Sequence, residues 1–276
     1  MLHTLTFLAL AFVPAPPAIP AAPAVPAAPA QQTGAVSEAE FKAMHELKQG
    51  APPVLTGTAL EVGGEKAYLA LPKTPRAGSP AVVVIHEWWG LNDHIKHWCD
   101  RLASDGYAAL AVDLYGGVVA TTPEQASATM GKVDGAKAVA VMQAGEKFLR
   151  EDARVKAKKV ASLGWCFGGG QSLQLALNSK TLDACVLYYG FVEKDAAKLA
   201  ALKAPVFAVF GSLDKAIPPT AVAQFVDGLV AAGKEHRVMI FPAVHAFANP
   251  SNPKYDEQSA SVAWENVRMF LAEKLK

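Results

Sequence analysis

A glycine-framed cysteine stands directly behind an apolar run: Gly164-Trp165-Cys166-Phe167-Gly168-Gly169-Gly170 follows Val160 to Leu163. The form G-x-C-x-G at the end of a strand is that of a nucleophile elbow. There the chain turns sharply into a helix, the central side chain is pushed outward, and a Cβ at either flanking position would clash. Sulfur suits the place because the thiolate is its reactive form, and the N-terminus of the following helix, expected over 167–178, carries positive partial charge. The chemistry implied is acyl transfer. Cysteine is also among the most buried residue types, so the motif alone is equally compatible with an inert core cysteine.

An acid and a base follow in the order nucleophile, acid, base that such elbows use. Asp214 lies in Gly211-Ser212-Leu213-Asp214-Lys215, just past the apolar run 205–210 and before a helix opened by Pro218 and Pro219. A carboxylate there can orient an imidazole; the alternative is an ordinary turn aspartate or helix cap. His245 follows the strand expected over 235–241. Six other histidines compete. His3 falls in the leader, His45 on an amphipathic N-terminal helix, His94 and His97 on the polar side of the helix after the first core strand, and His236 at a strand start. His86 is the rival, since it ends a core strand, but it precedes the cysteine.

These groups can meet only if strand ends gather them. Apolar strand-like runs alternate with helical periods, which is the signature of a mostly parallel central sheet with helices on both faces, an α/β fold. Strands are expected over 54–62, 66–71, 81–86, 107–113, 159–164, 184–189, 206–211 and 236–241, the first two as an antiparallel edge. The helix over 135–149 offers Val139, Met142 and Phe148 to the core, and the last, over 256–275, offers Val262, Val267 and Phe270. Residues 116–134 read as a loop over the site. No repeat unit is visible.

The N-terminus is different in kind. Residues 2–13 are apolar and are followed by alternating Ala and Pro to Ala30, so residues 1–30 read as an export leader with a small-x-small site at Ala28-Pro29-Ala30. Its apolar core is too short to span a bilayer, and no Lys or Arg precedes it. A secreted or periplasmic destination is expected, with a cytoplasmic protein carrying a mis-assigned start or an Ala/Pro tether as the alternative. Residues 31–53 are expected to be a tail with a short helix opened by the capping box Ser37 to Glu40, and 54–276 suffice for a single α/β domain.

The formal charge of +1, from 26 basic and 25 acidic residues, gives no field for nucleic acid or an anionic membrane. Cys99, Cys166 and Cys185 lack metal-ligand spacing, and no H-E-x-x-H, Walker-type or dinucleotide glycine pattern occurs. No metal or cofactor is expected. The partners expected are a small-molecule ester or lactone, neither nucleic acid nor a stable membrane insertion, and a monomeric or weakly dimeric state.

The elbow, the loop around Asp214, the segment around His245, Asp113-Leu114-Tyr115 and His86-Glu87-Trp88-Trp89-Gly90 together resemble the dienelactone hydrolase family of α/β-hydrolases, over about residues 54 to 274. The resemblance implies an α/β-hydrolase fold and a triad of Cys166, Asp214 and His245. It also implies that Glu87 contacts the resting thiol and gates it. A carboxylate beside sulfur disfavours a second negative charge until ligand displaces it, which limits wasteful oxidation. The backbone N–H groups of Trp88 and Phe167 would form the oxyanion hole.

One departure bears on substrate. Family members acting on dienelactone carboxylates hold the acid group with arginines, one shortly after the catalytic histidine. Here that place is Asn249, and no arginine occurs between Arg101 and Arg150. Without a bidentate clamp a neutral ester or lactone is expected, with Lys215 as a point-charge substitute or a solvated side chain. Trp89, Tyr115 and Phe247, with Trp88, are expected as apolar walls or as packing residues. The reading is a hydrolase working through a thioester acyl-enzyme. The alternative is a non-catalytic ligand-binding or redox-sensing scaffold that uses Cys166.

Overall fold

The strands that build the centre of this protein are short and apolar on both faces. The computed structural model describes residues 54–276; the leader, the tail and the capping box expected before them lie outside the described residues. The strands are β1 (Thr58–Val62), β2 (Glu65–Ala70), β3 (Ala81–Ile85), β4 (Ala108–Val112), β5 (Val160–Trp165), β6 (Ala184–Tyr188), β7 (Val206–Gly211) and β8 (His236–Phe241). Every residue of β3, β4, β5, β6 and β7 is buried, as strands covered on both faces must be. The edge strands β1 and β8 keep exposed positions.

One eight-stranded sheet results, in the order β1-β2-β4-β3-β5-β6-β7-β8. β1 pairs antiparallel with β2 and β2 antiparallel with β4, while every other pair is parallel. This is the α/β-hydrolase fold, with the antiparallel edge where the sequence places it. Strand limits differ from expectation by a few residues; the largest difference is at β1, which starts at Thr58 rather than 54.

The helices are α1 (Asp93–Ser104), α2 (Pro123–Met130), α3 (Gly135–Glu151), α4 (Phe167–Asn178), α5 (Ala196–Leu199), α6 (Pro219–Ala231) and α7 (Glu257–Leu275). Five start on side chains that satisfy an orphan N–H: Asn92 accepts from Ile95, Thr122 from Gln125, Asp134 from Lys137, Asp195 from Ala197 and Asp256 from Ser259. On one face α1 and α7 meet the sheet through Trp98, which stacks on Trp165 at 4.6 Å and meets Trp264 edge-on at 4.8 Å. On the other, Met142 of α3, Leu173 of α4 and Phe225 of α6 share a second core layer. Among the described residues no helix is long and apolar enough to cross a membrane.

Three expectations need correction. Residues 116–134 are not all loop, because α2 occupies part of them; Thr122 caps it and Pro123 opens it, yet only Ala126 is buried, so no apolar period announced it. Val262 is exposed, because the buried stripe of α7 runs through Ala260, Ala263, Trp264, Val267, Phe270 and Leu271. His94 and His97 are buried rather than on the polar side of α1, since they share its core-facing surface with Ile95 and Trp98.

Candidate active site

The parallel strands deliver five loops to one edge of the sheet. In the register Ile85 faces Gly164 and Trp165 faces Tyr188, while Gly211 faces Phe241, so the residues that follow each strand emerge side by side. Those residues are Glu87 after β3, Cys166 after β5, Tyr189 after β6, Asp214 after β7 and His245 after β8.

Cys166 sits at the turn between β5 and α4 with φ 54 and ψ −117, a backbone that L-residues rarely adopt. The chain accepts it because the neighbouring backbones pack at van der Waals limits. A Cβ on Gly164 would overlap the Gly168 carbonyl, and one on Gly168 would overlap the carbonyls of Ile85 and His86. The Cys166 N–H donates to the Tyr188 carbonyl at 3.0 Å, pinning the turn to β6. The side chain is half-buried, whereas Cys99 and Cys185 are buried.

His245 Nδ1 lies 2.7 Å from Asp214 Oδ2, and Cys166 is near enough to the ring to favour its charged form. The other Asp214 oxygen, Oδ1, accepts from the N–H groups of Ala216 at 2.7 Å and Ile217 at 3.1 Å. Burial opposes ionisation of Asp214, but the hydrogen bond from His245 and those from Ile217 and Ala216 outweigh it and hold the carboxyl below its usual range. Burial likewise works against the imidazolium. The hydrogen bond to Asp214 and the nearness of Cys166, with their charges, overcome it and push His245 up to about 10. Such an arrangement suits a charged imidazole ring held by Asp214.

Glu87 is buried, and burial pushes its carboxyl up to about 7 against the opposing pull of His245 and of a hydrogen bond from Asn249. Asn249 Nδ2 donates to Glu87 Oε2 at 2.6 Å, and His94 Nε2 lies 3.5 Å from the same oxygen. Neither residue was singled out for this from the sequence. Asn249 drew notice only as a missing arginine, and the one cue for His94 was its place four residues before Trp98 on the buried stripe of α1. Tyr189 was missed as well. It is fully buried with φ 37, its ring is 5.1 Å from that of His245, and burial and the charges of Glu87 and Cys166 raise its phenol.

His86, the rival base, serves another purpose. Its Nδ1 donates to the Glu87 carbonyl at 2.7 Å, and its Nε2 accepts from the Leu114 N–H at 3.0 Å. Burial lowers its pKa, in keeping with a neutral ring that braces the loops after β3 and β4. Beside it Asp113 accepts from the N–H groups of Tyr115 at 2.8 Å and Gly117 at 2.6 Å.

The expected aromatic walls divide. Trp88 and Trp89 are half-buried with ring centroids 5.2 Å apart. Tyr115 is buried between His86 and Phe167, and among the described residues its hydroxyl has no hydrogen-bond partner. Phe247 is fully buried against Tyr189 and Phe241, so it is core and not an open wall. Lys215 is exposed. Trp88 and Phe167, the expected oxyanion donors, follow the adjacent strands β3 and β5, and the Phe167 N–H opens α4, where no helical carbonyl can accept it. Among the described residues no cluster of three or more His, Cys, Asp and Glu side chains is placed to hold a metal ion.

Comparison with known proteins gives consistent matches. Residues 66–275 match the model of the dienelactone hydrolase family. The chain is 33% identical over 221 residues to Protein usf of Aquifex pyrophilus, covering 76% of this chain and 94% of that one. It is 31% identical over 220 residues, with 76% and 94% covered, to a protein of Aquifex aeolicus provisionally named carboxymethylenebutenolidase. A crystal structure from Klebsiella pneumoniae subsp. pneumoniae, provisionally titled dienelactone hydrolase, superposes with a TM-score of 0.72 at 29% identity, over 79% of this chain and 97% of that one.

Proposed function

This chain belongs to the dienelactone hydrolase family, and on that premise we propose that it hydrolyses a neutral carboxylic ester or lactone through Cys166, His245 and Asp214. The observation that carries the reading is the 2.7 Å pair of His245 and Asp214 at the strand-end edge, where the strained turn after β5 also presents Cys166.

In this mechanism the Cys166 proton passes to His245, and the thiolate attacks the carbonyl carbon. The oxygen that gains charge is held by the N–H groups of Trp88 and Phe167. Collapse breaks the ester C–O bond, and the leaving oxygen takes the proton from His245. What remains is a thioester on Cys166. Water then attacks it with His245 as base, the C–S bond breaks, and the carboxylic acid departs as the thiol is regenerated. Asp214 keeps the ring oriented throughout and stabilises its charged form.

The preference for a neutral ligand rests on what residue 249 is doing. Its amide donor is engaged by Glu87, and the exposed Lys215 offers no fixed fork for a carboxylate. Trp88 and Trp89 remain as half-buried aromatic surface for an apolar ligand.

Replacing Cys166 by Ala and following p-nitrophenyl ester cleavage tests the nucleophile. Turnover is expected to vanish, and wild-type enzyme quenched during turnover is expected to carry the acyl mass on Cys166. Undiminished turnover in the variant would rule the mechanism out.

A further inference from the structure

Glu87 is held from a side that the expected gating chemistry does not require. Asn249 Nδ2 donates to Glu87 Oε2, while Asn249 Oδ1 accepts from the Ser251 N–H at 2.8 Å. The second bond fixes the sense of the first, because turning the amide over would set oxygen against carboxylate and N–H against N–H. Position 249 therefore presents a donor to Glu87. The amide is itself held by its backbone: the Asn249 N–H donates to the Ala246 carbonyl at 3.1 Å, and the Asn252 N–H donates to the Asn249 carbonyl at 2.9 Å. Asn249 is buried.

The remaining surroundings of Glu87 come from three elements. α1 supplies His94, the end of β6 supplies Tyr189, and the loop after β8 supplies His245. Among the described residues Glu87 Oε1 is buried without a hydrogen-bond partner, while Oε2 accepts from the Asn249 amide at 2.6 Å.

We propose that Asn249 is a positioning residue that parks Glu87, fixing its carboxyl on the amide and favouring its ionised form, so that Cys166 stays paired with His245. The proposal rests on the reading of Cys166 as nucleophile. The physical chain is short. An N–H donor favours the carboxylate anion, the anion favours the imidazolium of His245, and the imidazolium favours the Cys166 thiolate. Without the amide, Glu87 takes up a proton more readily, His245 loses that support, and the freed carboxyl can turn toward the thiol. Each change removes thiolate at neutral pH.

The test is the rate at which iodoacetamide alkylates Cys166 in the full chain as a function of pH, read by intact mass; Cys99 and Cys185 are buried and do not compete. Asn249→Ala is expected to alkylate about tenfold more slowly at neutral pH, its acid limb displaced upward by about one pH unit. Asn249→Asp keeps the shape and the Ser251 contact, so it serves if the Ala variant fails to fold. It is expected to shift further, because two carboxyls then share one site. In a Glu87→Gln background Asn249→Ala is expected to add no further shift. A wild-type profile in the folded variants, or an equal shift in the Glu87→Gln background, overturns the proposal. So does a raised KM for an ester with unchanged alkylation, which would assign Asn249 to substrate. A wild-type Cys166 no more reactive than a free thiol at any pH defeats the nucleophile reading instead.

Discussion

Asp214 Oδ2 and His245 Nδ1 are 2.7 Å apart although 31 positions separate them, and the second Asp214 oxygen is fully committed to the N–H groups of Ala216 and Ile217. The carboxylate therefore has one oxygen for the loop and one for the ring.

That division predicts the outcome of Asp214→Asn. Its side-chain oxygen can still accept from the loop, which turns the amide NH2 toward His245 Nδ1 and forces the ring proton onto Nε2, where it cannot serve as base. Activity is expected to fall by roughly 10³ to 10⁴ in kcat, with thermal stability little changed. Steady-state kinetics beside a melting curve check it; an activity loss below tenfold would remove Asp214 from the mechanism.

Glu87 predicts a pH dependence of stability. Its folded pKa, about 7, is raised above its ordinary value of 4.5, so the folded protein binds the extra proton between those values. Its stabilising contribution is fully present below 4.5 and is lost as pH rises through about 7. Glu87→Gln, which cannot ionise, is expected to match wild type in acid and to gain up to about 3 kcal/mol over it above neutrality. Urea unfolding at acid and at mildly alkaline pH measures the difference. A gain that is the same at both ends would contradict the assignment.

The elbow predicts intolerance of the smallest substitution. A Cβ on Gly168 would overlap two carbonyls of the segment leaving β3, where neither backbone can yield without moving the strand end. Gly168→Ala is expected to cost roughly 3 kcal/mol or more and to lower activity in the remaining folded protein. Differential scanning calorimetry decides; an unchanged melting temperature would mean that the turn has slack.

Substrate choice follows from the same edge of the sheet. Neutral lactones are expected to show kcat/KM at least equal to that of carboxylate-bearing analogues, because Asn249 supplies no positive charge and its donor is occupied. Strong selectivity for the anion would show that another cation has taken the task.

The backbone order was legible because it rests on local signals. All-apolar runs become strands buried on both faces, and G-x-C-x-G becomes a strained turn that only glycine neighbours permit. Where the local signal was weak or its phase ambiguous, the sequence misled. α2 has one buried residue, Val262 sits one step off the stripe of α7, and His94 and His97 are polar residues on a core-facing surface.

The sequence by itself determined which groups lie at strand ends, since chain order and apolar periodicity place Cys166, Asp214 and His245 there. Which groups then touch was decided only by the tertiary structure. Asn249 reaches Glu87 across 162 positions, His94 approaches the same oxygen from another helix, and Phe247 disappears into the core. The reason is geometric. Hydrogen bonds between loops depend on strand register and on side-chain direction after the sheet has closed, and no local pattern encodes either.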